Sequence, residues 1–231
     1  MLIYGLMKYI EKIPARYDKM MNVLTLGGHR RSRRTILSAV KPGARVLDIG
    51  CGSGIFAAEC AGKGALVTAV DSSPQMLSIL KNRLRGSELE NRVRIIECGS
   101  ASTSAVLKGE KFDIIVMSMM LGELSSIVRA KTIKSAAELL GAGGTIIICD
   151  ELWPENLILS AIYHFLFWIF FIPNFILTRT LITPVKGLGR DLAAAGLEIH
   201  SRKSLFMGVI SILYIGEAGR KVVPCDGENE G

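Results

Sequence analysis

The chain has 231 residues, 49% of them apolar and 21% charged, with a formal net charge of +7. That length and apolar share suit one α/β domain with decoration and exclude a wholly disordered chain. The cationic excess favours anionic partners, phosphates or an acidic membrane face among them, without choosing one.

Leu2, Leu6, Tyr9, Ile10 and Ile13 fall at helical spacing, so an amphipathic N-terminal helix is expected. The long apolar run and small-residue cleavage site of a secretory signal are missing there. Residues 14–44 continue this segment through the basic run His29-Arg30-Arg31-Ser32-Arg33-Arg34 to a turn at Pro42-Gly43. The pattern then predicts a strand over 45–50, a glycine loop over 50–54, a helix over 55–64 and a second strand over 66–71. Ser72-Ser73-Pro74 supplies a cap and an N-terminal proline for a helix over 75–85. Strands over 93–98 and 112–118 follow. A helix over 128–140 then closes at Gly141-Ala142-Gly143-Gly144, and a fifth strand covers 145–150. Beyond a long apolar stretch come a helix over 187–195, two strands over 197–205 and 209–218, and a polar tail. Strands alternating with helices imply a parallel sheet covered on both faces. The expected organisation is an N-terminal helical segment (1–40), a domain over 41–218 with an apolar helical insertion at 152–186, and a flexible tail (219–231).

The five cysteines, Cys51, Cys60, Cys98, Cys149 and Cys225, form no Cys-x-x-Cys pair. Neither a disulfide framework nor a metal site is expected, and a reducing, cytoplasmic setting is.

The chemistry gathers at Val46-Leu47-Asp48-Ile49-Gly50-Cys51-Gly52-Ser53-Gly54. A strand, a glycine loop and a helix N-terminus together make a cradle for a cofactor, because glycine allows a sharp turn and close backbone approach. Dinucleotide loops space their glycines Gly-x-Gly-x-x-Gly. Here the spacing is Gly50-x-Gly52-x-Gly54, which favours S-adenosylmethionine; a generic nucleotide-fold turn is the other reading. Asp71, at the end of the second strand, can accept from both ribose hydroxyls. The preceding Asp48 agrees with the same assignment.

Several blocks resemble the ubiquinone/menaquinone-biosynthesis C-methyltransferase family. They are Tyr17-Asp18-Lys19-Met20-Met21-Asn22, the loop 46–54, Asp71, Ser72, Pro74, Gln75 and Met76, and the turn 139–144. Segments 163–173, 194–197 and 208–216 extend the likeness. The resemblance implies a class I, Rossmann-like, doubly wound sheet of seven strands. It also implies cofactor contacts from Tyr17, Gly50, Cys51, Gly52, Gly54, Asp71 and Ser72, with Met76 in the second motif. Ser100 and Ala101 would lie near the adenine, and Ser118 and Met119 below the sulfonium. The chain departs from the family twice. Gly99-Ser100-Ala101 stands for the usual Gly-Asp-Ala, leaving Ser100 to accept through a hydroxyl. Met120-Leu121-Gly122-Glu123 stands for Gly-Leu-Arg-Asn, so the Arg and Asn assigned to the quinone ring have no counterpart.

Residues 157–177 contain no Asp, Glu, Lys or Arg. They reach spanning length, yet Pro173 interrupts them and strands of one sheet are expected on both sides. A helix lying in the membrane interface fits, with Arg179, Lys186, Arg190 and the arginines of 30–34 towards lipid phosphates; a buried lid or dimer helix is the alternative. Trp153 and Trp168 could sit at the interface level. Candidate proton acceptors are Glu123, Asp150, Glu151 and, if the apolar segment closes over the site, His164. His200, on a late strand, is expected to be structural.

The expected function is methyl transfer from S-adenosylmethionine to a small lipophilic acceptor (quinone-like, isoprenoid or phospholipid) at or near a membrane. A soluble methyltransferase with an apolar lid and a non-catalytic cofactor-binding module are the alternatives. No nucleic-acid partner is expected, since Ser118-Met119-Met120-Leu121 stands where an aromatic-plus-proline tetrapeptide would be needed. Oligomeric state is left open.

Overall fold

The computed structural model describes residues 28–151, 185, 187–205 and 210–219. Tyr17, His164, Trp153, Trp168, the stretch 157–177 and the tail beyond 219 lie outside the described residues.

Helix α1 (Gly28–Ser38) buries Ser32 and Ile36, four residues apart, and the turn after it buries Ala39 and Val40. Ile36, Ala39 and Val40 join the same core as Val46 and Ala57, so this helix is part of the domain's own layer. The strands are β1 (Arg45–Ile49), β2 (Leu66–Asp71), β3 (Val93–Glu97), β4 (Phe112–Ser118), β5 (Leu140–Glu151), β6 (Leu197–Leu205) and β7 (Ile210–Glu217). They form one seven-stranded sheet in the order β3-β2-β1-β4-β5-β7-β6. The pairs among β1 to β5 are parallel, and β7 is antiparallel to both β5 and β6. The expected seven-stranded, doubly wound sheet is present, and its last two strands run antiparallel because only residues 206–209 join β6 to β7. A parallel crossover needs a dozen residues or more.

Helices α2 (Ile55–Gly62), α3 (Pro74–Leu84), α4 (Thr103–Val106), α5 (Ser126–Leu139) and α6 (Leu188–Ala194) cover the two faces. Alternation along the strands sorts the core. Val46, Val116, Ile147 and Cys149 face α1, α2 and α3; Leu47, Ile49, Ile115, Met117, Ile146 and Ile148 face α5 and α6. Each such side chain contributes about 1.5–3 kcal/mol of burial.

The glycine turn expected before the fifth strand lies inside it. Phe112 pairs with Leu140 and Ile114 with Thr145, so residues 141–144 bulge out of the ladder. A side chain at Gly144 would come within 2.9 Å of the Phe112 carbonyl.

Every parallel strand ends at one edge of the sheet, at Ile49, Asp71, Glu97, Ser118 and Glu151. In open α/β sheets, ligands bind outside that edge, where the strand order reverses. Here the reversal lies between β1 and β4. Among the described residues no helix is long and apolar enough to cross a membrane.

Candidate active site

The loop after β1 holds three glycines at positive φ: Gly50 at 72°, Gly52 at 53° and Gly54 at 71°. Two of them show why glycine is needed. A Cβ on Gly54 would lie 2.2 Å from Cδ1 of Leu80, which is fully buried, so a side chain here has nowhere to go. A Cβ on Gly52 would meet nothing within 4 Å, so only its backbone angle demands glycine. The loop is tied to β2 by the Gly50 and Cys51 N–H groups, which donate to the Val70 carbonyl at 2.8 and 3.0 Å. Cys51 is half-buried, and burial pushes its thiol up.

Asp71 ends β2 beside this loop. The Gly52 N–H donates to one carboxylate oxygen at 2.9 Å and the Ser73 N–H to the other at 2.8 Å. Each oxygen keeps a lone pair for a further donor, in a plane the backbone has already fixed. Ser72 is exposed next to it. Ser73 accepts from the Met76 N–H and caps α3, and Met76 itself is buried. Asp48, on β1, is 3% exposed, and its Oδ2 is buried without a hydrogen-bond partner. Burial, and then the Asp71 carboxylate, push its pKa up to about 7. A buried acceptor oxygen beside a second carboxylate suits a cationic ligand.

Beyond β3, Ser100 opens a short 3-10 turn, Ser100–Ser102, with Ala101 half-buried inside it. The Ser100 and Thr132 hydroxyls lie 2.8 Å apart. Thr132 spends its only proton on the Val128 carbonyl, at 2.9 Å. Ser100 is therefore the donor of the pair, and its oxygen keeps its acceptor lone pairs. Thr132 has no signature in the sequence, because a threonine within a helix carries no motif.

The β4 side is built differently. Ser118 ends the strand, and Met119 follows at φ 54°, the one non-glycine residue at positive φ among those described. Its N–H donates to the Cys149 carbonyl at 2.7 Å, which helps to hold the strained backbone. Met120 packs against Gly50, its Sδ only 3.0 Å from the place a Cβ there would take. Leu121–Glu123 forms a 3-10 turn. Asp150, 4% exposed, accepts from the Leu121 N–H at 2.8 Å and the Gly122 N–H at 3.4 Å. Glu123 is exposed. The structure thus brings Asp48, Gly50, Gly52, Gly54 and Asp71 together, and places Met119 and Glu123 in the segment just after β4 and Asp150 at the end of β5. His200 lies on β6 at a break in the ladder with β7, its Nδ1 3.9 Å from Glu198.

A methyltransferase-domain family model matches residues 46–144. The chain is 28% identical over 165 residues to a demethylmenaquinone methyltransferase of Tropheryma whipplei, covering 68% of this chain and 66% of that protein. It is 26% identical over 164 residues to a ubiquinone/menaquinone-biosynthesis C-methyltransferase of Geotalea daltonii, covering 68% and 67%. The match thus spans about two thirds of these relatives' length. Among solved structures, an O-methyltransferase family protein from Burkholderia thailandensis superposes with a TM-score of 0.66 at 16% identity, covering 89% of this chain and 61% of that one. A magnesium protoporphyrin IX methyltransferase from Synechocystis, solved with S-adenosylmethionine bound, gives 0.58 at 18%, covering 81% and 79%. With the strand order, the glycine loop and Asp71 already in place, residues 46–144 carry a methyltransferase domain, and the chain resembles the class I S-adenosylmethionine-dependent methyltransferases, the ubiquinone/menaquinone-biosynthesis C-methyltransferases among them.

Proposed function

We propose that the chain transfers a methyl group from S-adenosylmethionine to a small, lipophilic, quinone-like acceptor at or near a membrane surface. The observation that carries the cofactor half is the Asp71 carboxylate, held by the Gly52 and Ser73 N–H groups with one lone pair left on each oxygen. The two quinone-biosynthesis relatives support the acceptor class.

Bound at this loop, S-adenosylmethionine supplies an electrophilic methyl group on a sulfonium that leaves without help from an acid. The protein's share is then mainly positioning. Asp71 takes the ribose hydroxyls, Ser100 accepts from the adenine amino group, and the buried carboxylate of Asp48 faces the cofactor's positive charge. Tyr17, Cys51, Ser72, Met76 and Ala101 complete the contacts on the family pattern. Ser118 and Met119 lie below the sulfonium, where with Met120 they also wall the acceptor side. Asp150 positions the turn that carries Glu123, and Glu123 takes a proton where the acceptor must lose one. His164 would serve the same end from the segment after β5. The proposed organisation is a helical segment over 1–40, whose last helix packs into the core of the domain that follows, a methyltransferase domain over 41–218 with an insertion at 152–186, and a tail over 219–231.

Calorimetric titration with S-adenosylmethionine and S-adenosylhomocysteine tests this reading. The expected Kd is ~1–100 µM, roughly −8 to −5 kcal/mol, weakened at least about tenfold by Asp71→Ala, since charge-assisted hydrogen bonds are lost. No binding to folded wild-type protein would overturn it. Turnover of a demethylated quinone in detergent then tests the acceptor.

A further inference from the structure

The edge that carries the site is electrostatically divided. On the β2–β3 side it bears acids, Asp71 and Glu97. On the β5–β7 side it bears the first turns of α1. Ser32 hydrogen-bonds the Cys149 thiol near the end of β5, while the Leu37 carbonyl, one and a half turns on, accepts from Lys63 near the start of β2. Helix α1 therefore runs down the face of the sheet with its N-terminal turns at the site edge. There Arg30, Arg31 and Arg34 are exposed and, among the described residues, pair with no carboxylate. Arg33 differs: it is partly buried and donates to Glu59 at 2.8 Å.

The opposite face contributes apolar surface at the same edge. The turn 121–123 is tied to Asp150, and α5 starts three residues later. Its first turn exposes Ile127 by 69% and Val128 by 37%, two of the five large apolar side chains exposed among the described residues. Arginines on one side of the site and branched aliphatic side chains on the other straddle the mouth at the ends of β4 and β5.

We propose that this edge, with Arg30, Arg31 and Arg34 against headgroup phosphates and Ile127 and Val128 at the acyl boundary, docks on an anionic bilayer. The mouth of the site then faces the membrane, and the acceptor enters from it. Charge complementarity argues for the occupant: polybasic clusters bind anionic leaflets, and apolar side chains beside them add burial. Nucleic acid fits less well, because single strands need exposed aromatic platforms, and of the described aromatics Phe56 and Phe112 are buried and Tyr214 is half-buried within β7. The proposal deepens the function assigned above and rests on that reading only for the identity of what enters.

The test is vesicle flotation of the full chain with phosphatidylcholine alone and with 30% phosphatidylglycerol, a composition chosen at roughly the charge of an anionic leaflet. Two double variants with the same change in charge are compared. Arg30→Glu/Arg31→Glu sits at the site edge. Lys41→Glu/Lys108→Glu alters exposed lysines at the opposite edge. Acidic residues suit the first turn of a helix, so the arginine variant folds. Wild type is expected to float with anionic vesicles only. The arginine pair should weaken binding about tenfold, and the lysine pair by less than about threefold. Equal loss in both variants, no loss in the arginine pair, or flotation with neutral vesicles to the same extent overturns the proposal. So does tighter binding to an oligonucleotide than to vesicles. Calorimetry with S-adenosylmethionine on the same preparations separates the two readings. Cofactor binding without flotation removes the docking face alone, and flotation without cofactor binding removes the methyltransferase reading alone.

Discussion

The two halves of the site are made by different means. The half on β1 and β2 is backbone work: glycines at positive φ turn the chain, and Asp71 is fixed by two main-chain N–H groups. The half on β4 and β5 is side-chain work. A strained Met119, a methionine packed on Gly50 and a buried Asp150 holding a short turn give it shape. A cofactor common to a whole class can be met by a fixed backbone form. An acceptor particular to one enzyme is met by adjustable side chains, of which methionine is among the most adaptable. Substitutions should therefore separate the halves.

The largest effect is expected at Gly54→Ala. The new Cβ would stand 2.2 Å from Leu80 in a filled core and at φ 71°. The added crowding and strain cost about 3 kcal/mol or more, read by urea unfolding. Gly52→Ala meets no atom within 4 Å and should cost only about 1 kcal/mol. Equal losses at the two would mean that the loop is held by backbone angle alone.

On the other side, Asp150→Ala strips two N–H groups of their acceptor and should cost about 1–3 kcal/mol. It should raise the acceptor KM several-fold and leave the Kd for S-adenosylmethionine within about twofold. A parallel loss of cofactor affinity would show that the halves are not independent.

Asp48 gives a pH test. Its carboxyl is raised from the usual 3.8 to about 7 by burial and by Asp71. Between those values the folded chain binds a proton that the unfolded chain has released. Its contribution to stability is therefore greatest below about pH 4 and falls as the pH rises to about 7. Asp48→Asn should match wild type in Tm near pH 4 and exceed it at pH 8. A Tm difference that does not change with pH would sink this account.

The smallest effect is expected from Met119→Gly. Removing the side chain relieves the left-handed strain and stabilises by about 1 kcal/mol at most. Turnover should fall while cofactor affinity holds, because the wall of the acceptor side is lost.

The sequence showed the first half well and the second poorly, for the same reason. Leu66–Asp71 and Phe112–Ser118 match their expected limits, since buried parallel strands are short apolar runs bounded by turn residues. Gly50, Gly52, Gly54 and Asp71 announce themselves because few residues can replace them. The Gly141–Gly144 stretch misled: four residues rich in glycine suggest a loop, yet here they bulge within a strand. Asp150 looked like one more acid at a strand end, and only its bonds to Leu121 and Gly122 show that it holds a turn. Neither the left-handed Met119 nor the Ser100–Thr132 pair has a local signature, because both depend on contacts between elements distant in the chain.

The strand order has a consequence for how the chain is made. β7, Ile210–Glu217, follows β6 in the chain, yet it sits between β5 and β6 in the sheet. Until it emerges, β5 presents an unpaired edge and β6 has no neighbour in the sheet. That pairing waits until residues 210–217 have emerged, and a ribosome paused before residue 210 holds a sheet open at β5, ready to take a strand from another chain.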